Sequence, residues 1–176
     1  MESLLFSRYA EAVFEVAKTQ DLDEIRSQLE FLNKVLKDKE IMDFFVSFSV
    51  PRQEKLKVID EIFKDFDSVV VGFFKLLIEK LHVKFFERVW LKFKAFYNDF
   101  RGIEDVQVFS VVKLTEEQLQ SVKGLLEKKI KKTVEIENLL DGTLVGGLVF
   151  KYGGKTFDAS LVGNLRKLKL QVAQMK

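Results

Sequence analysis

The chain has 176 residues, 29 of them basic and 27 acidic, with one histidine and no cysteine. That length suits one large domain or two small ones, each able to bury a core, and the near-neutral balance excludes a global field that would draw nucleic acid or an anionic membrane. The missing cysteines exclude disulfides, thiolate metal sites and cysteine nucleophiles together. The opening stretch MESLLFSRYAEAVF has an acidic second residue and only a short apolar run before Ser7 and Arg8. Secretory signals start basic and carry a longer apolar core, so the protein is expected to stay where it is made. No stretch approaches the length of uncharged apolar chain that spans a bilayer.

Taken in order, the first elements are helical. Leu5, Tyr9, Ala12 and Val16 share one side of an opening helix, and Phe6, Ala10, Phe14 and Ala17 extend its apolar arc well round the cylinder. Leu22, Ile25, Leu29, Leu32 and Leu36 mark a second helix, with Asp21 as cap and Glu24 three residues on. A short helix lies near residue 40, and another runs from about Pro51 with Leu56, Ile59, Phe63 and Phe66 on one face. VVVGFFKLLIEKL, residues 69 to 81, is apolar almost all round, as for a helix with neighbours on several sides. Phe85, Val89, Phe93, Phe96 and Phe100 recur at helical spacing. The expected architecture is a six-helix bundle. The surplus apolar arc of the first and fifth helices has two readings: central positions in that bundle, or a groove that accepts another helix.

Composition then shifts. Fifteen of the eighteen phenylalanines lie at or before Phe100, and eight of the nine glycines at or after Gly102. The expected division is a helical domain over residues 1–102 and a small α+β domain over 103–176. EDVQVFSVVKL reads as a strand, TEEQLQSVKGLLEKKIKK as a helix capped by Thr115 with Gln118 three on, and TVEIENLL as a strand. VGGLVFKY and KTFDAS flank Gly153-Gly154, a two-residue turn in which both residues take positive φ. A last helix is expected from Ser160, with Leu161, Leu165, Leu168 and Val172 in a stripe.

Few residues speak for chemistry. YGGKT ends like a phosphate-binding loop, but the opening glycine of that motif would stand at Val149, and Lys155 with Thr156 falls in a strand. His82 has no nucleophile elbow to serve. The carboxylate pairs Glu116/Glu117 and Asp65/Asp67 sit among lysines on solvated faces. KKIKK, residues 128–132, would be the basis of an alternative function, an α+β nucleic-acid binder using the basic helix 116–132. The acidic residues Glu116, Glu117 and Glu127 on the same helix favour a solvated face. No cofactor, metal or catalytic residue is expected.

The two ends of the chain resemble a known family. SRYAEAVFEVA (7–17) is similar to the R-x-Y-A-x-A-L-F-x-x-A opening of the delta subunit of F-type ATP synthases, the bacterial counterpart of the mitochondrial oligomycin-sensitivity-conferring protein. LLDGTLVGGLVFKYGGKTFDASLVGNLRKL (139–168) is similar to that family's close, with Leu144, Val145, Gly146, Gly147, Asp158, Ser160, Gly163, Leu165 and Leu168 in place. VVKLTEEQLQSVKGLLEKK matches its strand followed by L-T/S-x-x-Q-x-x-x-L. The chain departs at Ala159, Val162 and Gly142, and Leu81-His82 falls where relatives often carry a polar Asn-Gly or Lys-Gly turn.

The resemblance implies a non-catalytic peripheral-stalk, or stator, subunit, tying the catalytic head to the membrane-anchored stalk in proton-driven ATP synthesis. It implies a peripheral place at the cytoplasmic face of a bacterial cell membrane, with the membrane touched only through the complex. The partners it implies are the N-terminal helices of the alpha subunits for the helical domain and the b subunits of the stalk for the second domain, with no nucleic acid. On that basis Tyr9, Ala10, Val13, Phe14 and Leu77 are expected to line the alpha-subunit groove. Leu161, Leu165, Leu168 and Val172 are expected to meet the stalk, unless that stripe packs on the sheet instead.

Overall fold

A computed structural model describes the backbone of residues 2–174 and the side chains of 4–166 and Lys169. Contacts gather into two compact units, residues 1–97 and 98–176. The division falls about one helical turn ahead of the glycine boundary because Asn98 Nδ2 already donates to Asp105 Oδ2, at 2.8 Å.

The first unit is helical: α1 (Glu2–Ala17), α2 (Leu22–Val35), α3 (Lys39–Val46), α4 (Arg52–Ile62), α5 (Ser68–Glu79), a 3-10 turn Val83–Phe85, and most of α6 (Phe86–Arg101). Three of these helices start on aspartate. Asp21 accepts hydrogen bonds from the amides of Asp23 and Glu24, Asp38 from Glu40 and Ile41, and Asp67 from Val69, so free first-turn donors are satisfied without water. Pro51 stands one place before the first turn of α4, at its cap position, instead of inside it. Ile25, Leu29, Leu32, Ile59, Phe74 and Leu77 are buried together with the inner face of α6. Phe74 meets Phe45, Phe63 and Phe86 edge-on, the arrangement that aromatic quadrupoles favour.

The inner face of α6 differs from the phenylalanine spacing. Phe86, Val89, Trp90, Phe93 and Tyr97 are buried, Phe96 is half-buried and Phe100 is exposed. Phe85 belongs to the 3-10 turn, so it does not set the phase of the helix that follows. The Tyr97 hydroxyl makes that face workable by donating to Asp23 Oδ1 at 2.5 Å.

The second unit holds β1 (Ile103–Ser110), α7 (Glu116–Ile130), β2 (Thr133–Leu140), β3 (Gly147–Tyr152), β4 (Lys155–Ser160) and α8 (Leu161–Gln174). The sheet order is β2-β1-β3-β4, with β1 and β2 parallel and the other pairs antiparallel. A parallel pair requires a crossover, and α7 supplies it. Its N-terminus carries a full capping box, Thr115 with Gln118. Leu126 of α7 packs with Val106, Val108 and Val134, joined by the half-buried Ile136, Leu148 and Phe150. β1 is shorter than the apolar run suggests: Ser110 Oγ donates to the carbonyl of Val112 at 2.7 Å and turns the chain out of the sheet.

Candidate functional site: a docking surface on each unit

The YGGKT stretch resolves first. Gly153 and Gly154 have φ of 53° and 71°, Tyr152 pairs with Lys155, and Lys155 and Thr156 lie in β4. A phosphate loop curls its amides at a helix N-terminus; here the next helix begins at Leu161, after the whole of β4. It begins one residue later than the sequence suggests, with Ser160 as its cap: Ser160 Oγ accepts from the amide of Gly163 at 3.0 Å. Asp158 Oδ1 in turn accepts from the amide of Ser160 at 2.9 Å. A Cβ on Gly163 would lie 2.5 Å from that carboxylate, so Asp158, Ser160 and Gly163 form one local cap in which the glycine leaves room for the carboxylate.

On the helical unit, the five residues expected in a groove divide. Ala10 and Leu77 are fully buried, Val13 and Phe14 nearly so, and these four belong to the core. Phe14 packs on Phe93 and Phe96. Tyr9 is half-buried and stands at the seam between α1 and α5. Its ring meets Phe73 edge-on at 6.2 Å, and its Oη lies 3.1 Å from His82 Nδ1. Phe6 packs on Phe85, in the 3-10 turn that follows α5, with ring centroids 4.8 Å apart. Beside that seam both helices present apolar residues that the core does not take. On α1 these are Leu5, Tyr9, Ala12 and Val16, and on α5 they are Val69, Gly72 and Leu76, all exposed or half-buried. Together they give the outer side of the α1/α5 pair an apolar stripe that runs about 16 Å along α1 at 1.5 Å per residue, the candidate docking surface of this unit. The spacing of Leu5, Tyr9, Ala12 and Val16 carried the signal in the sequence; Gly72, where an added Cβ would meet only open space, carried none.

On the second unit, Leu161 and Leu165 are 56% and 66% exposed, so the start of α8 does not bury its stripe on the sheet. The side chains of Leu168 and Val172 lie outside the described residues. Gly147 has φ 84°, and a Cβ there would lie 2.7 Å from the carbonyl oxygen of Ala159. At Gly146 a Cβ would meet Leu161 Cδ1 at 2.9 Å. The two glycines thus let β4 and the first residue of α8 close onto β3, fixed by the Leu161 amide donating to Gly146 O at 3.0 Å.

The register brings Leu140, Ser110, Leu148 and Ser160 to one end of the sheet. Exposed apolar residues gather at that end: Val111 and Val112 after β1, Leu140 closing β2, Val145 before β3, and Leu161 with Val162 after β4. They come from four separate segments of the sequence, and only the strand pairing brings those segments together. The turn that leads to Val145 is held by Asp141, which accepts from Thr143 Oγ1 at 2.6 Å and from the Thr143 amide at 2.9 Å. Those bonds hold the Asp141 carboxyl below its usual range.

Three lysines in or just after α7 have local partners. Lys132 pairs with Glu104, Lys123 with Glu127, and Lys129 lies over the ring of Phe157. Among the described residues no cluster of His, Cys, Asp and Glu could hold a metal ion, and no helix is long and apolar enough to cross a membrane.

Known proteins of similar sequence include the ATP synthase subunit delta of Caldanaerobacter subterraneus, 31% identical over 99% of both chains. The chloroplastic ATP synthase subunit delta of Galdieria sulphuraria is 32% identical over 90% of this chain and 92% of its own. A chain in the cryo-EM structure of the Toxoplasma gondii mitochondrial ATP synthase hexamer shares the fold, with a TM-score of 0.73 and 24% identity over 96% of this chain and 97% of that one. The ATP synthase delta (OSCP) subunit family matches residues 5–172, nearly the full length of the helical and α+β units together, and the chain belongs to that family.

Proposed function

We propose that this chain is a non-catalytic subunit of the peripheral stalk of an F-type ATP synthase, holding the catalytic head to the membrane-anchored stalk. Its family membership over residues 5–172 carries this reading, and the two apolar surfaces give it a physical means. A tether needs two separate docking sites and no reaction centre. The helical unit, read as a six-helix bundle, receives an N-terminal helix of an alpha subunit on the apolar stripe of α1 and α5. An amphipathic helix laid along two neighbouring helices buries residues at i, i+3 and i+4 spacing against the matching stripes. Tyr9 remains the central residue of that site, with Ala10, Val13, Phe14 and Leu77 supporting it from beneath.

The second unit receives the C-terminal end of the b subunits at the apolar end of its sheet. Val145, Leu161 and Leu165 form the contact there, and the stripe continues toward Leu168 and Val172 on α8. This division assigns residues 1–102 to the head and 103–176 to the stalk. The protein then sits at the cytoplasmic face of the membrane as a peripheral component of the complex. Purification of the tagged chain from membranes in mild detergent tests the reading. Recovery of alpha and b subunits together is expected; recovery of the chain without either, under conditions that keep the rest of the complex intact, would refute it.

A further inference from the structure

We infer that Asp141 is a latent site of backbone modification, where the chain converts slowly to isoaspartate, and that Thr143 is the residue that restrains it. Asp141-Gly142 is the chain's only step in which glycine follows Asp or Asn. Glycine has no side chain to keep its amide nitrogen away from the preceding carboxyl carbon.

The chemistry needs no partner but water. The Gly142 amide nitrogen attacks Asp141 Cγ, a C–N bond forms, and one carboxyl oxygen leaves as water with the amide proton and the acid proton. The product is a five-membered succinimide. Water then opens it at either carbonyl. Opening at the Cγ carbonyl restores aspartate, whereas opening at the former main-chain carbonyl leaves the chain running through Cγ as isoaspartate. Composition and oxidation state are unchanged.

The nucleophile is unhindered. Gly142 is exposed, its amide has no acceptor among the described residues, and a Cβ there would meet nothing within 4 Å. The restraint lies on the carboxyl. Asp141 Oδ1 accepts from Thr143 Oγ1 at 2.6 Å and from the Thr143 amide at 2.9 Å, an Asx-turn that ties the carboxyl to the residue beyond the attacking one. Those bonds, the hydroxyl's first, keep the carboxyl ionised, and the charge of Lys151 adds to them. An ionised carboxylate is a poor electrophile, because the leaving group would be oxide instead of water.

The surrounding turn gives the modification a consequence. The Asp141 amide donates to Ser110 O at 2.9 Å and the Leu144 amide to Asp141 O at 3.3 Å. Isoaspartate puts an extra carbon into the main chain between these two bonds. It would displace Val145, which this turn carries to the apolar end of the sheet.

The test incubates the full-length chain at neutral pH and samples it over weeks. Isoaspartate is read by transfer of a labelled methyl group by an L-isoaspartyl methyltransferase, and its position by mapping the tryptic peptide 133–151. Thr143→Ala is expected to accumulate isoaspartate at 141 about tenfold faster than the wild type, the factor that one lost hydrogen bond to a charged acceptor is worth. Thr143→Ser, which keeps the hydroxyl, should stay at the wild-type rate. Gly142→Ala, whose Cβ finds open space in the fold but crowds the attacking amide, should accumulate little. Equal rates in wild type and Thr143→Ala, both folded by circular dichroism, overturn the restraint. Absence of isoaspartate at 141 in urea-unfolded wild type overturns the site itself. Where Thr143→Ala does not fold, folded and urea-unfolded wild type decide: faster conversion in urea supports the inference, and equal rates overturn it.

Discussion

Gly147 and Lys155 sit on adjacent strands of one hairpin, and physics assigns them opposite sensitivities. Gly147 combines φ 84° with a backbone approach that leaves 2.7 Å to the Ala159 oxygen and 2.8 Å to Ser160 Cα for any added Cβ. Backbone atoms cannot yield as a side-chain end can, so Gly147→Val should destabilise the second unit by at least about 2 kcal/mol. Circular dichroism should then show the helical unit's signal largely retained while the sheet's tertiary signal is lost. Lys155 is an exposed residue of β4 without such contacts. Lys155→Ala should change stability by no more than about 0.5 kcal/mol. Calorimetric titration with Mg-ATP should show no saturable binding in either the wild type or this variant; micromolar binding lost in Lys155→Ala would restore the phosphate-loop reading.

At the scale of elements, α1 shows what a sequence conveys and what it leaves out. Its apolar arc was visible, and so was the inference that the arc exceeds one packed face. Which half of the arc is packed depends on where the other helices lie, and the residues carry no mark of it. Ala10, Val13 and Phe14 went to the core, while Leu5, Ala12 and Val16 were left facing outward. α6 teaches the same point through phase: a 3-10 turn ahead of it moved the buried face from the phenylalanine repeat to Trp90 and Tyr97. Caps and turns were legible because their chemistry is local, as with Asp21, Thr115 and Gly153-Gly154. The apolar end of the sheet was not, since Val112, Leu140 and Val145 become neighbours only through strand register.

Two predictions belong to this scale. Ala12→Asp or Leu76→Asp, both at outward positions, should leave folding intact and weaken the alpha-subunit peptide by about 2 kcal/mol or more, the range of an interface hot spot. Fluorescence anisotropy with the labelled peptide measures it, and undiminished affinity in both folded variants would count against that docking surface. On the second unit, Leu165→Asp should weaken a peptide of the b subunit's C-terminal end by a similar amount while sparing the alpha-subunit peptide. Loss of both, or of neither, would remove the division of labour between the units.

For the whole molecule, the two units have separate cores, one built from phenylalanine-rich helices and the other from a mixed sheet with α7 across it. The composition change near residue 100 made two units visible in the sequence. Their contact boundary between Tyr97 and Asn98 was less visible, because a continuous helix runs through it and the Asn98–Asp105 bond draws its last turn into the second unit. A protein built this way acts by connection. Its contribution to catalysis should appear only when rotation in the head must be resisted by a fixed stalk. The direct measurement is proton-driven ATP synthesis in membrane vesicles whose own complex has been stripped of this subunit, with the purified chain added back. The account predicts that synthesis returns while ATP hydrolysis by the isolated head is unaffected by the chain. Failure to restore synthesis by a folded chain that binds both the head and the stalk would contradict it.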